Sequence, residues 1–204
     1  MTNFHPTDNQ LVEFSAGNLD WALGIAVSAH IHLCPQCKKK VIEYNGIGGA
    51  ALAQAKPVAI ADDAFAQVMS KIKQSPAPQP EHTKTQAGTC ATARKECLPP
   101  VVKKLLPQDK PLKWSFASPS VRAARLQTGQ SDYEVCFHKI KRGGKVAEHD
   151  HAALEITLVL EGSFSDDKGN YVAGDFLVKQ PGEIHRPMAA QDQDCLCLTI
   201  VAGP

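Results

Sequence analysis

The sequence predicts an α+β multidomain chain, with a small N-terminal helical bundle followed by a C-terminal all-β barrel of the jelly-roll kind. Three observations predict it. Apolar residues recur at helical spacing through residues 1–73. Short strands separated by turn signals begin near Trp114 and continue to the end of the chain. Between the two, residues 74–110 lose periodicity, and QSPAPQPEHTKTQAGT has the composition of a flexible polar linker. The expected divisions are therefore 1–73, 74–110 and 111–204.

Within the helical part, Pro6-Thr7-Asp8 has the form of a helix start. Leu11, Val12 and Phe14 supply an apolar face, and Gly17 supplies a stop. Asp20 suits the cap of a second helix through Trp21, Leu23, Ala26, Val27 and His30. Cys34 stands at the cap of a third, with Pro35 at its first position, where a missing N–H costs nothing. That helix is expected to run through Val41, Ile42 and Tyr44 and to break near Gly46–Gly49. A fourth begins near Asp62-Asp63, acids that favour a helix N-terminus, and sets Phe65, Val68, Met69 and Ile72 on one face. Leu98 to Leu106 reads as a short ordered segment. Strands are expected at Val121–Leu126, Tyr133–Ile140, Glu155–Leu160, Gly174–Val178 and Leu196–Val201. Arg142-Gly143-Gly144, Asp167-Lys168-Gly169-Asn170 and Pro181-Gly182 mark turns.

Composition narrows the function classes. A chain of 204 residues has room for one large or two small domains. Lys+Arg 22 against Asp+Glu 21 offers no basic excess, so direct nucleic-acid binding is not expected. The N-terminus carries no Lys or Arg before Asp8 and no uninterrupted apolar core, so it is not read as a signal peptide. Leu154–Leu160 and Leu196–Ala202 are too short to cross a bilayer. A cytoplasmic location without a membrane partner is the expectation. Cysteines number seven, an odd count, and in a reducing compartment they favour metal ligation or free thiols over a disulfide framework.

Two metal-ligand signatures of different type sit at opposite ends. The first is His30-x3-Cys34-x2-Cys37, with His5 upstream. Cys34 and Cys37 lie three apart at a helix start, so both sulfurs face one side, and the helix N-terminus favours their thiolates. His30 lies one turn back, and His5 is the natural fourth ligand of a closed tetrahedral zinc site. His32 is the local competitor. A thioredoxin-like redox pair is the simpler reading of CPQC, but that motif follows a strand and here a helix precedes it. A pair of buried thiols is another. The histidine four residues earlier favours zinc. These residues resemble the zinc-binding anti-sigma domain over about the first 73 residues.

The second signature is His149-x-His151-x3-Glu155, with His185 thirty residues later. On an extended segment the first three project to one face, and His185 can join them from a neighbouring strand. Three histidines and a carboxylate suit zinc, and also iron, manganese or nickel. The spacing Gly143-x5-His149-x-His151-x3-Glu155-x6-Gly162 resembles the first cupin motif. Gly174, Pro181-Gly182 and His185 resemble the second, with its usual Pro-x-Gly compressed to Pro-Gly. Cys195 and Cys197 face the same side of the last strand, either as a thiol pair that oxidises or as small core residues. Cys90 and Cys97 read as incidental, and Cys136 as core.

The whole arrangement resembles the ChrR family, in which a zinc anti-sigma domain precedes a cupin, and KWSFASPSVRAARL resembles that family's start of the cupin. The resemblance implies a zinc-dependent anti-sigma factor that sequesters an extracytoplasmic-function sigma factor. It also implies a metal-binding cupin that mediates release by oxidants such as singlet oxygen. By motif it assigns zinc to His5, His30, Cys34 and Cys37, and a zinc or other divalent transition metal to His149, His151, Glu155 and His185. The face of Phe65, Val68, Met69 and Ile72 suits a partner groove as well as intramolecular packing. No general base or nucleophile stands out beyond the ligands, so an enzyme is not expected. The rival is a cupin dioxygenase or isomerase with a zinc-stabilised helical appendage. A metal sensor or store without a sigma partner is a third reading.

Overall fold

A computed structural model describes residues 2–75, 98–107, 110–129 and 131–203. The linker from Pro76, with Cys90 and Cys97, lies outside the described residues. Helix α1 spans Asp8–Ala16. Thr7 caps it in a reciprocal box with Gln10, and Gly17, at φ 73°, closes it with its N–H on the Glu13 and Phe14 carbonyls. Helix α2, Trp21–Leu33, starts where the Asp20 side chain accepts from the Ala22 N–H. Its sequence is apolar nearly all round, as befits a helix covered on several sides. Ala22, Ala26, Val27, Ala29 and His30 are buried.

Cys34 ends α2 and begins α3, Pro35–Ala53. The expected break at Gly46–Gly49 does not occur, and α3 runs straight through the glycines. None of them adopts a positive φ. Glycine in a helix costs only about 1 kcal/mol relative to alanine, and the helix formers Ala50, Ala51, Leu52 and Ala53 carry the helix on. Helix α4 is Ala64–Gln74 and buries no residue. Helix α5, Pro100–Lys104, packs on α2 through the buried Val102.

The strands are β1 Ser115–Ser118, β2 Val121–Arg125, β3 Tyr133–Ile140, β4 Glu155–Glu161, β5 Ser163–Asp166, β6 Gly169–Val172, β7 Phe176–Lys179, β8 Met188–Ala189 and β9 Cys195–Ala202. All pairings between them are antiparallel. One sheet runs β1-β2-β3-β9-β4-β7 and the other β6-β5-β8. The five expected strands are present. The short β1, β5, β6 and β8 were not expected as strands, because two to four residues are too few to show alternation. At the β4–β5 corner Gly162 takes φ 72°, and a Cβ there would lie 2.3 Å from the Asp194 carbonyl oxygen. Only glycine fits.

Period-two alternation along the sheet divides the molecule into two cores. Val159, Leu177, Cys195 and Cys197 point inward with Phe164 and Tyr171 of the small sheet. Ile156, Leu158, Leu198, Ile200 and Phe176 point the other way, into one cluster with Leu11, Ala22, Ala26, Val27 and Ala29 of the helices. The helical bundle therefore packs on the outer face of the large sheet. Each of the fully buried Leu and Ile side chains in that seam is worth about 1.5–3 kcal/mol.

Candidate metal centres and the exposed face of helix α4

The α2–α3 corner brings His5, His30, Cys34 and Cys37 together, with one ligand atom from each lying within 4.8 Å of the others. Cys34 tightens the corner. Its N–H donates to the His30 carbonyl, and its own carbonyl accepts from the Lys38 N–H. His5 Nδ1 lies 3.4 Å from His30 Nε2 and 3.5 Å from each sulfur. A tetrahedral zinc with ordinary bond lengths has N···N edges of about 3.3 Å and N···S edges of about 3.6 Å, so the donors fit. Burial pulls His30 down to about 4, which makes it a neutral donor at physiological pH. Burial, and the adjacent Cys34 after it, pushes the Cys37 thiol up. A divalent cation is what such a buried sulfur pair needs in order to ionise. His32, the local competitor, is exposed and outside the cluster.

The second cluster holds His149, His151 and His185. His149 and His185 pair as an isolated bridge at the mouth of the barrel, and the loop between β3 and β4 delivers His151. In all three rings an acceptor takes up Nδ1. His149 Nδ1 lies 2.9 Å from the Ala147 carbonyl, and His151 Nδ1 lies 2.7 Å from that of Glu183. His185 Nδ1 lies 3.3 Å from Asp166 Oδ2. Outer acceptors of this kind fix the tautomer and leave Nε2 for a metal. The His149 and His185 Nε2 atoms are 3.1 Å apart. His151 Nε2 is buried without a hydrogen-bond partner, an orphan that a metal ion would satisfy.

Glu155 opens β4 beside the three histidines. Its Oε2 is 3.7 Å from His151 Nε2, and its Oε1 accepts from the Thr157 hydroxyl. The tight three-histidine group does not include it. The compressed Pro181-Gly182 turn still serves the site, since the Gly182 N–H donates to the His151 carbonyl. A cavity of about 310 Å³ adjoins the cluster, walled by Val121, Ile140 and Phe164 and by His138, Glu155 and Cys197. Cys195 and Cys197 are buried, with their sulfurs 3.7 Å apart. The Cys195 contact and burial push the Cys197 thiol well above its ordinary value.

Asp166, Lys179, Tyr171 and His138 escaped the sequence reading. Asp166 stood beside a turn signal, and nothing local marked it as the buried partner of Lys179, Tyr171 and His185. Burial works to raise the Asp166 carboxyl, but the Lys168 N–H, the Tyr171 hydroxyl and the Lys179 ammonium outweigh it and hold it low.

On α4, Phe65, Val68, Met69 and Ile72 all stand in solvent, with Phe65 74% exposed. Among the described residues, no helix is long and apolar enough to cross a membrane.

The fold and the two clusters define a class: a helical bundle with a Cys/His corner, packed on a barrel with three converging histidines. Residues 103–202 match the family model described as the ChrR cupin-like domain. Over 203 residues the chain is 30% identical to the anti-sigma-E factor ChrR of Cereibacter sphaeroides, an alignment covering 98% of this chain and 90% of that protein. The crystal structure of Rhodobacter sphaeroides SigE in complex with the anti-sigma ChrR is similar at TM-score 0.77 and 27% identity, covering 98% of this chain and 99% of that one. This chain belongs to the ChrR family of anti-sigma factors, and it is therefore a regulator and not an enzyme.

Proposed function

We propose that the protein sequesters an extracytoplasmic-function sigma factor in the cytoplasm, in a zinc-dependent manner, and that its cupin mediates release by oxidants such as singlet oxygen. Residues 1–73 act as the silencing unit, 74–110 as the linker and 111–204 as the responding unit. Zinc at His5, His30, Cys34 and Cys37 locks the α2–α3 corner as a closed structural site. A divalent transition metal at His149, His151 and His185, with Glu155 beside it, forms the sensing centre, and the adjoining cavity has room for a small oxidant. Cys195 and Cys197 contribute chiefly as packing in the inner core.

The observation that carries the docking claim is the exposed face of α4. Four large apolar side chains at helical spacing remain in solvent on a helix that buries no residue, whereas α1, α2 and α3 each bury at least one, and an amphipathic helix of this kind fits a hydrophobic groove on a partner. Phe65→Asp together with Ile72→Asp tests it. Buried interface anchors are worth about 2 kcal/mol or more each, so the pair should weaken capture of the sigma factor by about a thousandfold. Metal content and thermal midpoint should not change, because neither side chain is packed in the free protein. Undiminished capture would remove α4 from the interface.

A further inference from the structure

We infer that the cupin supplies the outer shell of the zinc site through its β6–β7 turn, and that strand β6, which leads into that turn, links the zinc site to the cupin ligand His185. This inference rests on the metal assignments proposed above.

On the zinc side, Gly174 and Asp175 hold two of the ligands in place. His30 Nδ1 donates to the Gly174 carbonyl at 2.8 Å, a buried bond across 144 residues of sequence. It fixes the tautomer that offers Nε2 to the metal. The Phe176 ring packs edge-on against His30 at 5.7 Å. Asp175 is fully buried, and its Oδ1 accepts from the Asn3 N–H at 2.6 Å and the Phe4 N–H at 3.2 Å. The Phe176 N–H donates to the Phe4 carbonyl at 3.0 Å. The arm that carries His5 is thereby fastened on both sides of Phe4. Gly174 permits this approach, since at φ 97° a Cβ would sit 3.0 Å from Thr2 Cγ2.

On the cupin side, Tyr171 lies on β6, just before that turn. Its ring lies 5.0 Å from that of Phe4, and its hydroxyl donates to Asp166 Oδ1 at 2.9 Å. Asp166 Oδ2 in turn accepts from His185 Nδ1 at 3.3 Å. His185 to Asp166, Asp166 to Tyr171 and Tyr171 to Phe4 make an unbroken series of contacts that ends one peptide bond from His5. A metal that seats His185 also seats Asp166, and the Tyr171 hydroxyl follows. Tyr171 and Asp175 are positioning residues, since each acts through the groups it holds.

The test uses full-length protein with cobalt(II) as the probe. Of the two clusters among the described residues, only the N-terminal one includes cysteines, so the thiolate-to-cobalt charge-transfer band reads that cluster and not the three histidines. The rate of band loss into excess EDTA is measured with the cupin metal present, and again in a His149→Ala, His151→Ala background that empties the cupin and keeps His185. The inference expects the two rates to differ about fivefold or more, within the usual range of coupling between sites. Tyr171→Phe keeps the ring and removes the hydroxyl, and it should bring the ratio below about twofold. Asp175→Ala should speed band loss by about 10- to 100-fold, the usual effect of losing an outer-shell partner. If Asp175→Ala fails to fold, Tyr171→Phe still decides. Equal rates with filled and empty cupin, or a ratio indifferent to Tyr171→Phe, would overturn the inference and leave the zinc assignment standing. A wild-type protein with no charge-transfer band would overturn both.

Discussion

Replacing Cys37 by alanine is expected to abolish silencing of the sigma factor. Four candidate ligands converge at the α2–α3 corner, with Cys34 between the two helices and Cys37 in the first turn of α3. Structural zinc contributes about 10–16 kcal/mol of apparent binding energy in small domains, and in such domains that energy is folding energy. Removal of one buried thiolate leaves three ligands and an open position where water competes. A destabilisation above about 4 kcal/mol is the class of effect expected when a metal is lost. Helix α3 would then lose its fixed angle to α2, against which it packs. Cys34→Ala should behave alike, and His5→Ala somewhat less severely. The check is transcription from a sigma-dependent promoter in cells that carry the variant as their only copy. A Cys37→Ala protein that silences at wild-type level, with wild-type thermal stability, would show that zinc does not hold this corner.

Emptying the cupin is expected to have the opposite signature. His149→Ala with His151→Ala should leave silencing within about twofold of wild type and flatten the response to singlet oxygen. Both side chains lie at the barrel mouth, away from the helical seam of Leu158, Leu198, Ile156 and Ile200, so the packing that positions the bundle survives. The response needs a signal that changes the relative stability of the bound and released states. A coupling of about 1–3 kcal/mol gives about 5- to 150-fold, and without the metal that coupling has no source. Metal analysis of the same variant should find one zinc per chain in place of two ions. Full induction in these cells would mean that the oxidant is read elsewhere, with Cys195 and Cys197 the next residues to replace.

What was legible in the sequence was what is local. Thr7, Gly17, Asp20 and the Cys34-Pro35 step are caps whose chemistry lies within a few residues, and the structure places helix ends at each. The four candidate zinc ligands were legible for the same reason, since three of them fall within one corner, and the structure brings all four together. The course of α3 was misjudged because its glycine cluster reads as a break, while the alanines after it sustain the helix. Strands β5, β6 and β8 were hidden by their length. The outer shells were beyond reach for a different reason. The partner of His30 is a backbone carbonyl, which carries no residue identity, and it lies on the far side of the chain. Asp166 and Asp175 act through burial and direction, which only the packed barrel defines. The separation into two parts was visible in composition, but the shared core between Ala26, Val27 and the outer faces of β4 and β9 was not. An apolar face on a strand does not say what will cover it.

The central claim is that this chain withholds a sigma factor from RNA polymerase. The most direct measurement is assembly of holoenzyme from purified core polymerase and the extracytoplasmic-function sigma factor of the same cell, titrated with the full-length protein. The account predicts that one zinc-loaded chain per sigma factor stops assembly, and that a chelator strong enough to strip the α2–α3 corner restores it. If the sigma factor joins core polymerase undiminished in the presence of a saturating excess of zinc-loaded chain, the account is contradicted.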